Sequence, residues 1–192
     1  SSAASDVYKR QIKKLIAKTK SLKAGNPTDQ QNMLGVLESR RAAERIQHLL
    51  EDAKIKGADL PLGIQVQDTT MQPTLVLNIQ PEMLLYREES FGPVCTVQRF
   101  ETLEEGIALA NDSEFGLSSA VFSQNFAQAF EVAKQIDSGI CHINGATVHD
   151  EAQMPFGGTK SSGYGRFGSK ASIAEFTELR WITVQTQSRH YP

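Results

Sequence analysis

Two thiols, four imidazoles, paired carboxylates beside an aromatic ring, and a run of glycines are the groups in this chain whose types and spacing could do chemistry. A cysteine nucleophile needs a lowered pKa, from a helix N-terminus or a cationic neighbour, together with partial exposure. Cys95 lies in VCTVQRF and Cys141 in GICHIN, both strand-like apolar runs. Free cysteine is among the most buried residue types, so this placement predicts two core thiols and no nucleophile. His142 does not change that, because neighbours on a strand point to opposite faces. Two cysteines supply neither a disulfide framework nor a four-ligand zinc site, and His48, His142, His149 and His190 lack metal-ligand spacing, so no metal is expected.

Gly163-Tyr164-Gly165-Arg166-Phe167-Gly168 matches the G-x-G-x-x-G pattern of dinucleotide sites. That pattern works where a strand feeds the glycines, a helix N-terminus receives the pyrophosphate and an acid about 20 residues on binds the ribose. PFGGTKSS precedes the glycines here and position 188 is a serine, so backbone freedom in a tight loop accounts for them. Glu88, Glu89 and Phe91 stand apart, because Gly92-Pro93 fixes a turn beside them between two expected strands. In a parallel α/β sheet, ligands collect at loops along one edge. A carboxylate there can accept both hydroxyls of a ribose while a ring packs on the sugar or base; a solvated acidic loop is the competing reading.

The elements that must position these groups follow from periodicity. VYKRQIKKLIAKTKSL puts Ile12, Leu15 and Ile16 on one helical face, with the lysines from Lys9 to Lys23 forming a solvated one. A longer helix is expected from Leu34 to Ile55, with Leu34, Leu37, Ala42, Ile46, Leu49 and Leu50 inward and Gly57 at its C-cap. LVLNI, VCTVQRF, SAVFS and GICHIN read as strands. ETLEEGIALAND, NFAQAFEVAKQID with Asn125 as N-cap, and SKASIAEF read as helices. This alternation predicts an α/β fold with a largely parallel sheet. Ala146 to Gly168 forms a long glycine-rich loop, and ELRWITVQTQ, apolar on both faces, is expected to be a strand that extends another sheet or another subunit.

The chain has 192 residues, 40% hydrophobic, 22% charged, with a net charge of -2. That is the composition of a globular protein and gives no reason to expect nucleic acid or a membrane as partner. No apolar run reaches the roughly 20 residues of a membrane helix and no secretory leader is visible, so a cytoplasmic location is the expectation.

In order along the chain, EESFGPV, ALANDSEFGLSSAVFS, SGICHINGATVHDEAQMPFGGTKSSGYG and FTELRWITV resemble successive signatures of the aldehyde dehydrogenase superfamily. VHDEAQMPFGG, SGYGRFGSKASIAEFTELRWIT and RHYP look most like its aromatic-aldehyde members, of the salicylaldehyde and vanillin dehydrogenase type. The resemblance implies a parallel-sheet catalytic domain, partial over residues 12–175, then an oligomerisation strand and tail over residues 176–192 that would join a homo-oligomer through Glu178 to Thr186. Residues 1–11, SSAASDVYKRQ, fit the family poorly and read as a non-native or disordered leader.

The resemblance assigns Glu89 to the nicotinamide-side ribose of NAD or NADP and Phe91 to packing on the cofactor. Phe156 would contact substrate in the aldehyde tunnel, His149 and Met154 would line its entrance, and Asn111 and Gly116 would be structural. In the family a cysteine thiolate attacks the aldehyde, hydride passes to the nicotinamide, and a glutamate activates water for hydrolysis. The nucleophile, in a Gly-Gln-x-Cys segment, and the base, in Glu-Leu-Gly-Gly-Lys, have no counterpart here and would lie upstream of residue 1. No catalytic residue is therefore expected in this chain, which alone would be inactive toward a small aldehyde. A naturally truncated paralogue, serving as the non-catalytic partner of a full-length subunit, is the alternative.

Overall fold

A computed structural model describes residues 2–190 of the chain, which divides into two compact units, one ending at Gly106 and one beginning at Ile107. Helix α1 (Ser2–Ser21) opens the first unit, with Lys18 and Lys20 in its last turn where cations complement the helix dipole. It begins five residues before the expected Val7 and runs through residues 2–11 of the segment read as a leader.

Helix α2 (Arg40–Ile55) buries Ala43, Ile46, Leu49, Leu50 and Ala53 along one stripe, the 3.6-residue period made physical. Its expected start at Leu34 is corrected to Arg40. Ser39, extended at φ -159°, caps it by accepting from the Ala42 amide at 3.1 Å. Leu34 and Leu37 keep their apolar spacing for other reasons: Leu34 bridges to Ala24, and the Leu37 amide donates to the Thr69 carbonyl at 2.8 Å. At the far end Gly57 stands at φ +97° just past the Lys56 cap, as expected of a C-terminal glycine. The Gly57 amide donates to Lys54 and that of Ala58 to Ala53, which closes the orphan carbonyls in a Schellman pattern.

Strands β1 (Val66–Gln67) and β2 (Thr70–Met71) form a short antiparallel hairpin that the sequence reading had not separated. Strand β3 (Thr74–Leu77) is buried at every position, as a β-branched, two-sided apolar run should be. Helix α3 (Leu84–Arg87) is a single turn whose Leu84 amide is capped by Asp52 at 2.8 Å. Lys56, 2.7 Å away, and that amide hold the Asp52 carboxyl below its ordinary pKa. Strand β4 (Val94–Val97) pairs parallel with β3, Thr74 opposite Val94. Ile46, Leu49, Leu50, Met71, Val76 and Met83 lie at the centre of this unit's core.

Helix α4 (Leu103–Asn111) carries Glu104 and Glu105 in its first turn. The second unit then places β5 (Phe115–Gly116), β6 (Ser118–Val121), helix α5 (Phe126–Ala133), β7 (Ile140–Ile143), β8 (Thr159–Lys160) and helix α6 (Ser169–Glu175). β6 and β7 pair parallel around α5, whose N-cap Asn125 accepts from Gln128 at 3.1 Å as expected; β5 and β8 pair antiparallel. Each parallel pair has a helix in its own crossover, α3 between β3 and β4 and α5 between β6 and β7, so each unit is of α/β type.

The expected terminal strand does not form within the chain. The described residues that follow α6 have no regular structure, and Leu179, Trp181, Ile182 and Val184 stand exposed. A strand exists only with a partner, and none of the described residues supplies one. Among the described residues no helix is long and apolar enough to cross a membrane.

Candidate functional site

In the first unit a groove of about 820 Å³ opens beside the start of α2, lined by Val36, Leu37, Arg41, Arg45, Glu89 and Phe91 among others. Sequence reasoning paired Glu89 with Phe91, and the structure puts both on this groove. The turn that carries them leaves α3 at Glu88, whose amide donates to Leu84, and returns to the sheet where the Pro93 carbonyl accepts from Thr74 at 2.9 Å. Underneath, Gly92 rests on Ile46, a core residue that is 1% exposed.

Phe91 itself adopts φ +49° and is 77% exposed. A bulky residue at positive φ is a real strain, of the kind that collects where a side chain must be aimed. The Glu89 carboxylate is exposed and bonds to no described side chain, whereas Glu88 lies 3.8 Å from Arg45. Such a carboxylate can accept a pair of hydroxyls, and the neighbouring ring offers an apolar face. Arg45 was not found from sequence. It lies 44 residues before Glu89, with no local pattern to link them, yet its Nη2 donates to the carbonyls of Glu89 at 2.9 Å and Ser90 at 2.6 Å.

The second unit carries His149, Met154 and Phe156 on one loop. Phe156 is half-buried and exchanges backbone hydrogen bonds with Phe167, at 2.7 and 2.8 Å, while their rings stack at 5.8 Å. Arg166 braces this hairpin from inside, its Nη1 donating to the Gly158 and Gly165 carbonyls at 2.7 Å each. Met154 is 55% exposed. His149 points toward Glu151, 3.5 Å away, and meets the edge of His142 at 5.8 Å. Phe167 and Arg166 carry no local sequence signal for these contacts, because the glycines around them fit an ordinary loop equally well.

Asn111 clamps the second unit: its side chain donates to the Gln135 carbonyl and accepts from the Asp137 amide, both at 2.8 Å. Lys160 donates to the carbonyls of Asn111 at 3.0 Å and Ser113 at 3.1 Å, and Gly116 is buried beside them. The Gly163 to Gly168 run lies in this loop. The strand before it, β8, is two residues long and antiparallel, and the seven-residue α6 follows, so the dinucleotide context is missing.

The cysteines require a correction. Cys141 is half-buried, but Cys95 is exposed and not in the core. β4 pairs with β3 alone among the described residues, so an apolar strand pattern is not matched by cover on both faces. Protein packed around the sulfur still raises the Cys95 pKa above its ordinary value, and among the described residues no cation offsets this. Iodoacetamide should therefore label Cys95 slowly near pH 7, with the rate climbing beyond about pH 9 as thiolate forms. A labelling rate already level at about pH 8 would reveal an activated thiol instead. Among the described residues no three His, Cys, Asp or Glu side chains gather as a metal site.

As a whole the chain is similar to one group of known proteins. The family model described as "Aldehyde dehydrogenase family" matches residues 3–182. A vanillin dehydrogenase from Pseudomonas sp. (strain HR199 / DSM 7063) is 57% identical over 94% of the chain, and a salicylaldehyde dehydrogenase from Pseudomonas putida is 42% identical over the same share. The crystal structure of a salicylaldehyde dehydrogenase from Pseudomonas putida G7, complexed with salicylaldehyde, superposes with a TM-score of 0.92 at 40% identity and covers 97% of the chain. The chain spans 38% of the length of those two curated relatives and 39% of that solved chain.

Proposed function

The chain belongs to the aldehyde dehydrogenase family, and from that premise we propose that it is the C-terminal part of an NAD(P)-dependent enzyme that oxidises an aromatic aldehyde to its carboxylic acid. The observation that carries this reading is the groove in which the Glu89 carboxylate, bonded to no described side chain, and the exposed, strained Phe91 ring stand side by side. The cofactor supplies the hydride acceptor when bound. The groove's donor set fits its ribose and nicotinamide end: Glu89 accepts from the two ribose hydroxyls, and Phe91 covers the apolar face. Nothing in the glycine run fits the pyrophosphate, so that end belongs to other residues.

The second unit's part is to hold the aldehyde. Phe156, backed by Phe167 and braced by Arg166, gives a rigid aromatic wall suited to an aromatic ring, with Met154 and His149 toward the entrance. The names of the two curated relatives, both dehydrogenases of hydroxylated benzaldehydes, support that substrate class. Neither Cys95 nor Cys141 has the neighbours of a nucleophile, so the thiol and the glutamate base come from outside these residues. A cytoplasmic location is part of the same proposal.

The test has two arms. The purified chain, mixed with NAD and an aromatic aldehyde, should form no NADH; formation abolished by a thiol blocker would overturn the division of labour. In the complete dehydrogenase, an aromatic aldehyde should be oxidised in preference to a short aliphatic one, and indifference between them would remove the substrate assignment. A second reading, a non-catalytic partner that pairs through Glu178 to Thr186, is favoured by the exposed Leu179, Trp181 and Ile182. Co-purification with an intact dehydrogenase would support it and failure to associate with that enzyme would sink it, while light scattering of the chain by itself tests the homo-oligomer.

A further inference from the structure

We infer that Arg45 is a positioning residue for the cofactor: by gripping the backbone of the Glu89 turn it sets the direction of the Glu89 carboxylate and of the Phe91 ring. This rests on the reading of that turn as the seat of the ribose. The grip is specific in its geometry. One Nη2 donates to two consecutive carbonyls, Glu89 at 2.9 Å and Ser90 at 2.6 Å, while Nη1 lies 3.8 Å from Glu88. A guanidinium holds its donors in one plane, so it fixes carbonyl directions in a way a single rotating ammonium does not.

The Ser90 carbonyl belongs to the peptide group that precedes Phe91. Holding it acts on the torsion by which Phe91 is kept at φ +49°, a conformation a phenylalanine leaves unless its surroundings enforce it. The lever is itself well founded. Arg45 sits in the second turn of α2, downstream of the Ser39 cap and next to Ile46, which is 1% exposed and lies under Gly92. With its donors engaged on carbonyls and its nearest acid Glu88, Arg45 leaves the Glu89 carboxylate open to accept hydroxyls. An arginine so close could have neutralised that carboxylate, and it does not.

The experiment compares Arg45→Ala, Arg45→Lys, Glu89→Gln and the Arg45→Ala/Glu89→Gln pair in the complete dehydrogenase. Arg45→Ala should raise the KM for the nicotinamide cofactor roughly tenfold, since misplacing a binding group by about an ångström has effects of that order or larger. The aldehyde KM should stay put. Arg45→Lys should recover part of the loss, and the double variant should be no worse than Glu89→Gln alone, because one residue acts through the other. An unchanged cofactor KM in Arg45→Ala, or losses that multiply in the double variant, overturns the inference. If Glu89→Gln leaves the cofactor KM unaltered, the ribose reading fails and takes the inference with it. Hydrogen exchange separates the cases in this chain itself: Arg45→Ala should quicken exchange over residues 88–92 while the β3 and β4 amides stay protected, and unaltered exchange there disproves the grip.

Discussion

Gly139→Ala is expected to lower the melting temperature of the second unit by roughly 10–20 °C, the consequence of losing about 3 kcal/mol. Its origin is a close approach of two backbones. A Cβ at position 139 would overlap the Gly157 carbonyl oxygen and lie 3.0 Å from the Gly158 Cα. No side chain can swing aside to relieve it, and the Gly139 amide is already pinned to the Gly116 carbonyl at 3.0 Å. Either β7 or the Phe156 loop must move. Gly145→Ala is the matched control in the same unit, because its Cβ would come no closer than 3.5 Å to His142. Thermal melts followed by far-ultraviolet circular dichroism make the comparison, and equal losses in the two variants would show that the contact is not what costs stability. In the complete enzyme the same change should weaken aldehyde binding, since it displaces the segment on which Phe156 is mounted.

Leu50→Ala should cost the first unit about 2–5 kcal/mol, the range for emptying a fully enclosed leucine site. Leu50 is 0% exposed, among Ile46, Leu49, Val76 and Met83, and the rigid helix on one side and β3 on the other leave little means of collapse. Leu50→Met, which conserves volume, should cost under about 1.5 kcal/mol. Ile55→Ala, at an 86% exposed position of the same helix, should be close to neutral. Urea midpoints for the three variants decide the matter: if Leu50→Ala and Ile55→Ala shift alike, the core lies elsewhere. The loss would reach the groove as well, because α2 carries Arg45 and presents Ile46 to the Glu89 turn.

What could be read from the sequence was whatever is local. Gly57 after a periodic helix, Asn125 before another, and the β-branched runs at Leu75 and Ile140 each carry their own physical cause within a few residues, and the structure has them in those roles. The family signatures pointed to Glu89 and Phe91, and what the structure adds is that the two line one groove. Failures came where distant partners decide. Leu34 and Leu37 fit a helical period, but Leu34 bridges to Ala24 and Leu37 to Thr69, and Ser39 starts the helix later. Cys95 looked like core because strand residues are often covered twice, and only tertiary structure shows that β4 is not. Arg45 left no trace at all: a side chain bonding to backbone 44 residues away places no demand on the residue types it holds. The segment from Glu178 to Thr186 has the composition of a strand, but among the described residues no strand pairs with it.

That last segment has an optical consequence. Trp181 is the chain's single tryptophan and is 90% exposed. Its emission should sit near that of indole in water whether the two units are folded or denatured, so fluorescence will be nearly blind to their unfolding. Anything that covers the segment, whether a second copy or a full-length subunit, would shift that emission to the blue. The protein thus carries a reporter that is silent about its own stability and speaks only of company.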